Sequence, residues 1–169
     1  MRTKKQPEQS RKSLSPETLY VIGIDGGKNT AIAVYQGRKF LYKSVNGFWQ
    51  QVKFILRNIP SDNATILLEQ PLMNKVTFQE AESDPRNQLM SNKISRDIGR
   101  NIATAENIAE ILRDEGYTVI EIRPKKSKLS AKELKDLLLM KQRSNEHERD
   151  AMMLCERYFL ECDGIKVKY

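Results

Sequence analysis

The chain's 169 residues allow one domain with a real core and leave no room for two substantial ones. Apolar residues make up 39% and charged residues 30%, with no apolar run near bilayer length, which excludes an integral membrane helix and suits a globular chain. The net charge of +7 is unevenly placed: five basic against two acidic groups in residues 1–18, eight against two in 123–143, and a slightly acidic remainder.

A basic tail and one basic segment point to a polyanionic partner, weighed against the plainer reading of an ordinary solvated surface. Met1 to Pro16 lacks the apolar core of a secretory signal and the amphipathic face of a transit peptide. Residues 1–18 therefore read as a basic disordered tail ahead of a single domain over 19–169. Cys155 and Cys162 fall seven apart in one predicted helix, ~10 Å along its axis, too far to bridge. They read as thiols of a reducing compartment, the cytoplasm, and with a single histidine they leave no structural zinc site.

In chain order, Leu19 to Ile24 is a β-branched apolar run that predicts a buried strand. Asp25-Gly26-Gly27-Lys28-Asn29 turns the chain into a second strand, Thr30 to Tyr35, and Gln36-Gly37 into a third, Lys39 to Val45. These three make an antiparallel meander. The apolar positions 48, 49, 52, 55 and 56 have a helical period that Ile59-Pro60 ends. Thr65 to Leu68 is a buried strand ending at Glu69, and the polar stretch from Gln70 to about Arg86 is a long loop.

A long helix over Ser91 to Glu115 keeps Ile94, Ile98, Ile102, Ala105, Ile108, Ala109 and Leu112 on one face, with Gly116 as its cap. Tyr117 to Ile122 is a fifth strand. A basic linker leads to a helix over Ala131 to Met140, and a final helix starts near Asn145 and runs to about Cys162. The expected architecture is α/β: a mixed five-stranded sheet with helices on its faces.

Two strands end in a carboxylate, Asp25 and Glu69, and the final helix opens Glu146-His147-Glu148-Arg149-Asp150. His147 and Asp150 share a face there, as do Glu146 and Asp150. Converging carboxylates are unfavourable unless a proton or a metal neutralises them, and such a cluster suits paired divalent cations acting on a phosphodiester. Each feature has a duller explanation. Asp25-Gly26 is an ordinary turn, Glu69 a surface strand end, and acids at a helix start complement the helix dipole. Their joint occurrence, in order and at the right elements, favours the site.

Val-Ile-Gly-Ile-Asp-Gly-Gly-Lys-Asn-Thr-Ala-Ile-Ala-Val (21–34) resembles the opening hairpin of RuvC-type Holliday junction resolvases. Ile-Leu-Leu-Glu-Gln (66–70) resembles their second catalytic strand. Ile98-Gly99 with Arg100 to Ala105 is similar to their Leu-Gly helix. Ile-Arg-Pro-Lys-Lys-Ser-Lys (122–128) is similar to their Pro-then-Lys stretch, and His147-x-x-Asp150-Ala151 to their terminal acidic motif. Together these cover about residues 19–162.

The resemblance implies an RNase H-like fold, with the fourth and fifth strands parallel to the first. It also implies a homodimer that cuts four-way DNA junctions by hydrolysis, with Mg²⁺ or Mn²⁺ and no organic cofactor. On that basis Asp25 bridges two metals, Glu69 holds one and Asp150 the other, with His147 beside it and Glu146 in reserve. Many members carry Asp where His147 stands; an imidazole makes a site friendlier to Mn²⁺. Leu72 or Met73 would insert at the junction, and Lys28, Lys125, Lys126, Lys128 and Lys132 would contact phosphates. The rivals are an RNA-directed nuclease of the YqgF type, a transposase core, a sugar kinase or actin-like ATPase, and a non-catalytic junction-binding protein.

Overall fold

The computed structural model describes residues 19–71, 85–124, 132 and 144–165, and within 85–91 the backbone alone. Strands β1 (Tyr20–Asp25), β2 (Thr30–Gln36) and β3 (Lys39–Asn46) precede helix α1 (Phe48–Asn58). Then come β4 (Ala64–Glu69), α2 (Pro85–Asp114), β5 (Thr118–Ile122) and α3 (Glu146–Cys162). The sheet order is β3-β2-β1-β4-β5, with β1 antiparallel to β2, β2 antiparallel to β3, and β1, β4 and β5 mutually parallel. The mixed sheet expected from the hydrophobic pattern is therefore present.

Strand alternation sorts the core into two layers. Ile22, Ile24, Ile32, Val34, Ile66 and Leu68 pack against Val52 and Ile55 of α1 and Ala105, Ile108, Ala109 and Leu112 of α2. On the other face Val21, Ala31, Ala33, Tyr35 and Leu67 meet Ala151, Met152, Leu154, Cys155 and Phe159 of α3. With helices on both faces the central strands are apolar on both sides, so they read as continuous runs rather than alternating ones.

Small residues set the approach of α3. A Cβ on Gly23 would collide with the carbonyl oxygen of Ala151 and lie 3.0 Å from the Cys155 sulfur. The helix backbone thus rests directly on β1. Its N-terminus is closed by a capping box: the Asn145 side chain accepts from the Glu148 amide at 2.8 Å, and the Glu148 carboxylate accepts from the Asn145 amide at 3.0 Å. The same carboxylate receives Lys43 Nζ from β3 at 2.6 Å, with both side chains largely buried.

Helix α2 begins at Pro85, six residues before the expected Ser91, because proline is well suited to a first helical position. Its 30 residues span ~45 Å, yet among the described residues its buried apolar side chains run only from Ala105 to Leu112. Residues 92–100 are exposed, and Ile94 and Ile98 continue the apolar face beyond the core at 51% and 36% exposure. The other end closes on Gly116 at φ 84°, where the Tyr117 and Gly116 amides bond the Leu112 and Arg113 carbonyls. The expected tail over 1–18, Leu72 and Met73, and Lys125, Lys126 and Lys128 lie outside the described residues. So does the expected 131–140 helix except Lys132, which is helical and exposed.

Candidate active site

Asp25 and Glu69 are the last residues of β1 and β4. In the parallel register Ile24 stands opposite Leu68, so Asp25 and Glu69 form the next pair, and alternation turns both toward α3. α3 runs back over β1 from Ala151 at Gly23 to Cys155 at Val21, which puts its first turn above the strand ends. The two strand-end acids and the start of α3 therefore share one end of the sheet.

His147 reaches down from that turn, and its Nδ1 lies 2.8 Å from Asp25 Oδ2. Asp25 is mostly shielded while the imidazole is 40% exposed, so the ring joins a protected carboxylate to solvent. Glu146 points outward, 71% exposed, with Oε1 3.9 Å from His147 Nε2. Of the two neighbours, His147 is the one turned toward Asp25.

Asp150 stands one turn further along α3, and Arg157 lies seven residues beyond it on the same flank. Burial pulls the Arg157 guanidinium below its usual pKa, and the negative charges of Glu69, Asp150 and Glu161 push it back up. It is a cation supplied by the protein where carboxylates gather, and the sequence patterns do not single it out. The only signal is the seven-residue spacing from Asp150.

Among the described residues, no three His, Cys, Asp or Glu side chains converge closely enough to hold a metal ion as they stand. The donor types nevertheless suit a hard divalent cation: carboxylates of Asp25, Glu69 and Asp150 with one imidazole, at one sheet end.

Beside Asp25 lies a cleft of about 630 Å³ between the β1–β2 turn and α2. Lys28 of the turn and Lys93, Arg96 and Arg100 of α2 line it together with Asp25 and His147. The turn sits close against the helix: a Cβ on Gly27 would be 3.1 Å from Asn101 Oδ1, and one on Gly26 3.5 Å from Ala105. Glycines thus let the two walls meet at the cleft floor. The sequence reading assigns phosphate contact to Lys28 but to none of the α2 cations.

A scan against models of known protein families finds no match, and a search of curated proteins finds no significant match.

Proposed function

We propose that this protein is a metal-dependent nuclease of RuvC-like, RNase H-like architecture that resolves four-way DNA junctions. The observation that carries the reading is the gathering of Asp25, Glu69, His147 and Asp150 at one end of the sheet, beside a cleft lined by four basic side chains.

Asp25, Glu69 and Asp150 are the residues that would hold Mg²⁺ or Mn²⁺. Such an ion, when bound, supplies positive charge against a phosphodiester and lowers the pKa of an attacking water. With Asp25 ionised, His147 Nδ1–H donates to Oδ2 and the tautomer is fixed. Nε2 then carries the lone pair, as a nitrogen ligand or as an acceptor for the proton of a water. Arg157 balances Glu69 and Asp150 before a cation arrives and keeps the carboxylates from repelling one another.

The junction preference and the homodimer rest on the family resemblance. The dimer gains support from α2, whose apolar face continues through Ile98 and Ile94 past the end of its own core. A second reading, a junction-binding protein without catalysis, is favoured by the way Asp25 is engaged by His147.

The test is incubation with a labelled mobile four-way junction, linear duplex and an RNA–DNA hybrid, with Mg²⁺ or Mn²⁺, beside Asp25→Asn. Paired symmetric nicks in the junction alone, lost in the variant, are expected. Cleavage of the hybrid instead keeps a nuclease and removes the junction assignment. Tight binding with no cleavage selects the second reading.

A further inference from the structure

We propose that the cleft between the β1–β2 turn and α2 is a track for the phosphate backbone of a nucleic-acid strand, leading to the Asp25–His147 pair. The proposal deepens the nuclease reading and rests on it for the identity of the strand as substrate.

The charge arrangement of α2 motivates it. Residues 85–100 carry four basic groups and one acidic, whereas 101–114 carry one basic and three acidic. A helix dipole favours the opposite order, with acids toward the N-terminus. The cations therefore gain nothing from the helix itself. They also lie off its apolar face: Lys93, Arg96 and Arg100 follow one stripe, while Ile94 and Ile98 follow another.

Lys93 to Arg100 is seven residues, a row of ~10 Å along the axis. Such a row is longer than a single small anion needs and suits successive charges along one strand. Lys28 adds a cation from the opposite wall, on a turn that ends β1 at Asp25. Arg100 has a carboxylate partner in Asp97, but at 3.9 Å with both side chains half exposed, an arrangement readily given up to a phosphate. Asn101, against the Gly27 backbone, offers a neutral donor at the floor.

The experiment measures binding without chemistry. Anisotropy of a fluorescent oligonucleotide, single-stranded and duplex, is followed against salt in EDTA for wild type, Arg96→Ala/Arg100→Ala, Lys28→Ala, and Arg57→Ala as an exposed basic control on α1. Arg96, Arg100 and Lys28 are exposed, so the variants retain the fold, which circular dichroism checks. The double variant is expected to bind about tenfold or more weakly at low salt, with the log–log salt slope reduced by about 1.5, and the control to match wild type.

An unchanged slope in the double variant, or no salt-sensitive binding by wild type, overturns the track. Displacement of the oligonucleotide by inorganic phosphate or a mononucleotide at equal concentration also overturns it and makes the cleft a small-anion site. The nuclease reading fails separately: binding that depends on the cleft, with every nucleic acid left intact after Mg²⁺ or Mn²⁺ is added, keeps the track and removes the catalysis.

Discussion

Arg157 carries a positive charge that feels the negative charges of Glu69, Asp150 and Glu161. Arg157→Gln removes that charge, and the uncompensated acids should then take up Mn²⁺ severalfold more tightly in calorimetric titration, while the melting temperature in EDTA falls. Equal affinity in both proteins would show that the guanidinium plays no part in balancing those carboxylates. Glu156, one residue earlier, is raised above the usual glutamate range by burial, with the Tyr35 hydroxyl and Arg38 pulling it partly back. A carboxyl whose folded pKa is raised holds its proton more tightly in the native state, so stability is greatest below the unfolded value and declines as pH rises through the folded one. Glu156→Gln should flatten that decline above about pH 4 in thermal melts. The principal acids are legible in the sequence because each sits at a boundary, a strand end or a helix start. Arg157 is not, since its partners are distant in sequence and nothing in the local pattern distinguishes it from a solvated helix cation. The Lys43–Glu148 pair is hidden for the same reason.

At the scale of elements, the strand pattern is legible almost residue by residue, because both faces of β1, β2 and β4 are buried and only apolar runs survive there. Helix limits are less so. The apolar period of α2 becomes regular only at Ile94, which places its expected start near Ser91, and Pro85 reads as a loop residue where it is the opening one. Averaging charge over whole segments also conceals the basic half of α2, since the acids of its other half nearly cancel it. Two elements meet at Gly23, where β1 and the α3 backbone leave no space for a side chain. Gly23→Ala should cost about 1–3 kcal/mol by overpacking. It should also displace α3 enough that the His147–Asp25 bond lengthens, visible as an altered histidine ring shift in NMR. The Asn145 cap acts more locally, and Asn145→Ala should cost about 1 kcal/mol in denaturant unfolding without moving the helix body.

For the whole molecule, the overhanging half of α2 is the feature that a single copy leaves unfinished. Ile94 and Ile98 stand in water on the face that is core ~20 Å further on, at ~1.5 Å of rise per residue from Ile94 to Ile108. Ile94→Glu/Ile98→Glu should leave the melting temperature of a monomer unchanged or higher. If the protein is a dimer through this face, sedimentation should shift to the monomer mass, whereas an unaltered mass places the dimer elsewhere. The apolar periodicity of the sequence could not be divided between core and outside, because a helix stripe has the same spacing whichever surface it meets.

The placement of α3 has a consequence for how the protein is made. Residues 25 and 69 are in place early in synthesis, but His147 and Asp150 leave the ribosome only after more than a hundred further residues have followed Asp25. Until α3 arrives, Val21, Ala31, Ala33, Tyr35 and Leu67 lack the cover it gives them, and Asp25 lacks His147. A nascent chain thus exposes an apolar sheet face, prone to association and to chaperone capture. The helix that buries the second face of the sheet is also the one that brings His147 to Asp25, so the burial of that face and the assembly of the candidate site happen in the same step.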